Sequence, residues 1–180
     1  MIPAQLATSL PVLSDFPVRE IKGLSLTQPW ATLVALGKKR VETRSWPTSY
    51  RGWVAIHAST KYPREARDLA ETEVFQEGLG GAVIQLGGIV GLAFLEANCR
   101  TEKLKKYFDT CPTRQNQLEQ MYGCYSPGRW GFCFTRVVPV EFIKCKGALK
   151  FFDLPSEVEE LCKSRLIEKL SELNPNELES

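Results

Sequence analysis

"LSLTQPWATLVALGKKRVETRSW", residues 24–46, contains a strand, a helix and a second strand in twenty-three positions, and its reading decides the fold. Leu24 and Leu26 alternate with Ser25 and Thr27 as a short half-buried strand does. Pro29 suits the first position of a helix, where its missing N–H costs little, and Trp30, Leu33 and Val34 then share one helical face. Gly37 supplies the left-handed stop, which puts Lys38 and Lys39 in the following turn. From Arg40 the chain reads as extended, so Glu42 and Arg44 project to one side, Val41 and Thr43 to the other. Lys39 has to reach in from the turn.

Downstream, Pro47, Ser49 and Gly52 break the strand, and "WVAIHAS", residues 53–59, resumes as another, rich in β-branched and aromatic residues. Pro63 opens a second helix with Ala66, Leu69, Ala70 and Val74 on one face, ending before the glycines at 78, 80 and 81. "GIVGLAFLEA", residues 88–97, reads as a buried strand. A short helix is expected near Glu102–Phe108, a strand at Trp130–Val138 and another at Glu141–Cys145. Several strands around a few helices, without β-α-β alternation, predict an α+β domain whose sheet curls into a small barrel. Ser156 and Glu159 are spaced as a capping box. Val158, Leu161, Cys162, Leu166 and Leu170 then form the stripe of an extra C-terminal helix that packs on the domain and whose acidic outer face could meet a protein partner. The expected organisation is an extended leader at 1–20, a domain at 21–154, and the C-terminal helix with an acidic tail at 155–180.

A chain of 180 residues with 43% hydrophobic and 24% charged residues is composed as a globular domain, which excludes disorder throughout. The small net charge hides an asymmetry. Residues 19–67 hold ten Lys/Arg against three Asp/Glu, and residues 153–180 hold three against eight. That basic first half is the footprint expected for a polyanion, or simply a solvated face. Six cysteines without a C-x-x-C pair, together with the single His57, make a zinc site improbable, so free thiols in a reducing compartment are expected and no metal or cofactor is predicted. The first basic residue is Arg19, and Pro3, Pro11 and Asp15 interrupt any apolar run. No signal peptide or membrane span is therefore expected, and the cytoplasm or nucleus is the expected location.

The chemistry concentrates around Glu42. Lys38, Lys39, Arg40, Arg44 and Arg51 are candidates to neutralise phosphates, and Trp46 and Tyr50 are interleaved among them as stacking faces, the usual design for single-stranded nucleic acid. Glu42 can orient Lys39 or Arg44, or accept from an exocyclic amine of a base. The competing reading of Glu42 and Arg44 is a structural ion pair. Trp30 and Trp53 read as core, and His57 as a satisfied strand residue. In "YSPGRWGF", residues 125–132, a Pro-Gly turn presents Arg129 as a further contact, with Trp130 in the core.

The opening stretch followed by "YRGWVAIHAS" resembles the ASCH domain, of the PUA-like superfamily. Its hallmark G-x-K-x-x-E-x-R is met by Gly37, Lys39, Glu42 and Arg44, and "GRWGFCF" and "KCKGALKFFDLP" resemble the family's closing strands, which extends the likeness to about Leu154. The resemblance implies a PUA-like small β-barrel with packed helices and a cleft where the hallmark residues gather. It also implies binding of RNA or DNA, or of a nucleotide or nucleoside. A subset of relatives hydrolyses acetylated cytidine, with a threonine three residues after the hallmark lysine; here that position is Glu42. Thr43 is adjacent but on the other face of the strand. The alternative function is therefore a small hydrolase acting on a modified nucleoside, or a ribonuclease, with Lys39 and Glu42 catalytic and Glu42 activating water.

Overall fold

In a computed structural model, which describes residues 18–173, the opening stretch folds as its periodicity dictates. It gives β1 (Lys22–Leu26), α1 (Trp30–Ala35) and β2 (Val41–Arg44). Gly37 takes φ +68°, a conformation that a side chain would strain. The chain continues through β3 (Gly52–Ala58), α2 (Arg64–Ala70), α3 (Glu73–Leu79), β4 (Gly88–Arg100) and α4 (Thr101–Thr110). It ends in α5 (Arg114–Tyr122), β5 (Trp130–Lys144), β6 (Phe151–Asp153) and α6 (Ser156–Leu173). Most of the expected leader and the end of the acidic tail lie outside the described residues.

The strands form one mixed sheet in the order β2-β5-β4-β3-β1-β6. Only β1 and β3 run parallel; the other neighbours are antiparallel. The sheet curls into a half-barrel because its two ends approach across the open side. Trp46, just after β2, packs edge-on against Phe151 of β6 and Phe132 of β5, with ring centroids 5.6 and 5.0 Å apart. Phe132 and Phe151 stack at 5.7 Å. The concave side is filled by Leu24, Leu26, Val54, Ile56, Ala93, Leu95, Phe132 and Phe134, the alternate residues that the two-residue period sends inward. On the other face, Cys162, Leu166 and Leu170 of α6 pack with Ile21, Trp53, Leu92 and Val138. The α+β arrangement, a curled sheet with packed helices and an extra C-terminal helix, is the observed one.

Several local expectations need correction. The helix after Pro63 is broken at Glu71–Thr72 into α2 and α3, and Leu69 stays 41% exposed. α3 ends on Gly80 with φ 55°, a left-handed cap. The two strands expected from Trp130 to Cys145 are one, β5, running through Pro139. The missing N–H is tolerated there because Pro139 lies opposite Gly91, beside a register shift in β4. Periodicity does not predict α5, whose sequence has little apolar period; Thr113 caps it by accepting the Asn116 N–H at 3.2 Å. In α6, Leu161 is exposed, and Glu159 accepts the Ile21 N–H at 3.2 Å, where a capping box would have turned it back to the helix start.

Candidate nucleic-acid interface

The turn after α1 and the strand β2 carry the hallmark residues to a cleft between the half-barrel and helices α1, α3 and α5. The cavity measures about 390 Å³, and Lys39, Glu42 and Arg44 all line it. Trp30 and Phe75 form an apolar wall, meeting edge to face with centroids 6.0 Å apart. Met121 and Leu69, both partly exposed, stand at its rim with Cys124. A volume of this order falls within the range of small-molecule sites.

Charge in the cleft is arranged as a chain. The Lys39 ammonium is 1% exposed, and lies 3.5 Å from Glu119 Oε1 and 3.9 Å from Glu42 Oε2. It also donates to the Val41 carbonyl. Glu42 Oε1 is 3.2 Å from Arg44 Nε, and Arg44 Nη2 donates to the Ser25 carbonyl at 2.8 Å. That last bond joins β2 to β1 across the open side of the half-barrel. Two cations are balanced by two carboxylates, so the polar wall holds positioned charge of both signs and little net charge.

Glu119 anchors this chain. Its carboxylate accepts the Arg40 N–H at 2.7 Å, the Val41 N–H at 3.1 Å and the Tyr125 hydroxyl at 3.2 Å. Burial, then the charge of Glu119, pushes the Tyr125 phenol well above its ordinary range, so it remains a donor. At the rim, the Cys124 thiol is drawn below its usual value, first by the hydrogen bond with the Ser126 hydroxyl.

The remaining candidates do not line the cavity. Lys38 and Arg40 are exposed on the turn outside it. Arg51 is exposed in the loop before β3, with Nη1 donating to the carbonyls of Thr48 and Tyr50. Tyr50 donates its hydroxyl to the Trp53 carbonyl at 2.7 Å and packs on Phe151. Trp46 is held in the aromatic cluster that brings the sheet ends together. Arg129 donates to the Thr43 carbonyl at 3.0 Å. Thr43 borders the cavity although its strand parity is opposite to that of Glu42.

Two site residues escaped the sequence reading. Trp30 reads as core by its helical period, yet it is half-buried, with its indole N–H bound to the Tyr122 carbonyl at 2.6 Å and its ring on the cavity wall. Glu119 gave no sequence signal beyond being an acid in a polar segment. His57 is a satisfied strand residue. Nε2 faces the Cys145 carbonyl at 3.2 Å and must carry the proton, which leaves Nδ1 to accept from the Ser25 hydroxyl at 3.1 Å. All six cysteines are free, and among the described residues no group of three or more His, Cys, Asp or Glu is arranged to hold a metal. No described helix is long and apolar enough to cross a membrane.

Residues 24–144 match the ASCH domain family; with the hallmark side chains gathered in one cleft of a curled mixed sheet, the chain belongs to that family. Among curated proteins it is similar to activating signal cointegrator 1 of Homo sapiens, 49% identical over 51 residues, and to that of Mus musculus, 47% identical over 51 residues. Each match covers 27% of this chain and only 9% of the cointegrator. Among solved structures it is similar to ASCH from Zymomonas mobilis, 17% identical, with a TM-score of 0.47, covering 83% of this chain and 94% of the other. A mutant form of the Zymomonas mobilis protein is 18% identical, with a TM-score of 0.46, covering 86% of this chain and 99% of its own.

Proposed function

We propose that this chain binds nucleic acid, RNA or DNA, by taking one nucleotide into the cleft lined by Lys39, Glu42 and Arg44. The observation that carries the reading is that these three hallmark side chains meet on one wall of a cavity of about 390 Å³ whose other wall is Trp30 and Phe75. The aromatic wall suits the face of a base. Glu42, an acceptor with about four lone-pair sites, keeps capacity for a base N–H beyond its two cations. Arg44 can give donors to a phosphate while keeping its planar fork in register.

Titration of labelled short RNA and DNA oligomers at increasing salt tests this. Binding should weaken with a log-log slope of about −0.7 per phosphate contact on single strands. Arg44→Ala should lower affinity about tenfold or more, the scale of losing a charge-assisted hydrogen bond worth roughly 1.5–3 kcal/mol. A salt-independent signal, or unchanged affinity in both Arg44→Ala and Glu42→Gln, overturns the proposal.

A hydrolytic role is the second reading, favoured by one observation: the Glu42 carboxylate borders the cavity within 3.9 Å of the Lys39 ammonium, as a base for water beside an oxyanion donor would. Turnover of acetylated cytidine or RNA that Glu42→Gln abolishes would establish it; no turnover by wild type at high protein concentration would dismiss it.

A further inference from the structure

The cavity has a continuation along the sheet. Arg44 on β2 pairs directly with Trp130 on β5, and Trp130 pairs directly with Arg100 on β4. Residues paired in this way project to the same face, so the three form a row leading from the cavity wall to an exposed guanidinium. Arg100 lies over the indole of Trp130, 4.1 Å from the ring centroid. That contact fixes the plane of the guanidinium while leaving its N–H edges outward.

Several surface cations are paired with acids, among them Lys105 with Asp109, Arg114 with Glu77, Lys163 with Glu159, and Arg165 with Glu141. Among the described residues no ion pair engages Arg100, nor Lys103 in the first turn of α4, nor Arg51. Glu102, the acid between Arg100 and Lys103, accepts the Gly128 N–H at 2.7 Å, and the Arg100 charge also acts on its carboxylate without forming an ion pair. Arg51 belongs to the same neighbourhood, because Asn98, two residues before Arg100, donates to the Thr48 carbonyl at 3.2 Å, as Arg51 also does. The Cys99 thiol, lowered chiefly by its hydrogen bond with Cys133, is drawn down further by Arg51 and Lys103. A guanidinium without an ion pair at the end of such a row is a ready partner for an anion.

We propose that Arg100, braced on Trp130 and supported by Lys103 and Arg51, is a phosphodiester subsite continuous with the cavity, so that the ligand is a strand with nucleotides flanking the one in the cleft, as opposed to a free nucleoside or mononucleotide. This rests on the cleft reading above. The cleft supplies the base contact; the row supplies the backbone contact that a monomer lacks.

The test compares the four ribonucleoside 5′-monophosphates with the corresponding single-stranded hexamers, on wild type, the exposed double variant Arg100→Gln/Lys103→Gln, and Arg44→Ala. Hexamers should bind wild type at least about tenfold more tightly than monophosphates. The double variant should lose about tenfold for hexamers, with the salt slope shallower by about 0.7 for each phosphate contact removed, and should bind monophosphates as wild type does. Arg44→Ala should weaken both ligands. Equal affinity of wild type for hexamer and monophosphate, or a double variant indistinguishable from wild type on hexamers, overturns the subsite and leaves the cleft standing. Failure of both ligands to bind wild type overturns the cleft, and the subsite with it.

Discussion

Glu119 holds the main chain of Arg40: its Oε2 accepts the Arg40 N–H at 2.7 Å, across 79 positions of sequence. The same carboxylate accepts the Val41 N–H and stands 3.5 Å from the Lys39 ammonium. One side chain of α5 therefore fixes both the start of β2 and the cation beside it.

Glu119→Ala removes the acceptor of two main-chain donors and one of the two carboxylates beside a cation that is 1% exposed. Breaking a buried pair by removing one partner costs about 3–5 kcal/mol. Urea denaturation should show a loss of that order. Glu119→Gln keeps one carbonyl oxygen as acceptor and should lose less. Equal stability of Glu119→Ala and wild type would contradict the anchoring role.

His57 should make stability depend on pH in mildly acidic solution. Burial lowers its pKa below the ordinary 6.5, partly offset by the Cys145 carbonyl. The unfolded chain therefore binds the proton first as pH falls, and the folded state loses stability from about pH 6.5 downward to the lower folded value. The slope is positive with rising pH and at most about 1.4 kcal/mol per unit for one proton. His57 is the single histidine, so thermal melts of His57→Gln between pH 5 and 7 should be flatter than those of wild type. Parallel curves would refute this assignment.

Cys99 should react as a thiolate at neutral pH. The hydrogen bond with Cys133 is the largest cause bringing its pKa down to about 6, while Cys133 is driven upward by the same bond and by burial. Alkylation by iodoacetamide, followed by peptide mass spectrometry, should show Cys99 labelling rise with a midpoint near that value. Cys133→Ala should move the midpoint up toward the ordinary thiol range. A midpoint unchanged by the substitution would separate the two thiols.

Much of the site was legible because it is local. A two-residue period places Glu42 and Arg44 on one side of β2, and a glycine stop after α1 delivers Lys39 into the turn; both features depend only on neighbours in sequence. What escaped depends on contacts that sequence spacing does not encode. Glu119 lies on a polar helix whose single buried acid looks like any solvated one until β2 is laid against it. Trp46 reads as a loop residue free to stack, but Phe132 and Phe151, 86 and 105 positions further along the chain, converge on it. Trp30 has the right period for the core, yet α3 and α5 leave its indole on a cavity wall. Sequence spacing gives two strands where β5 is continuous, because the irregular register of β4 that accommodates Pro139 is a long-range feature.

The bond from Arg44 to the Ser25 carbonyl makes the guanidinium a clasp between strands that are not ladder partners. An anion in the cleft competes with a backbone oxygen for the same donors, so occupancy and the aperture of the seam are thermodynamically linked: whatever loosens the clasp lowers the penalty for admitting a ligand, and a tightly seated ligand in turn favours the parted edge.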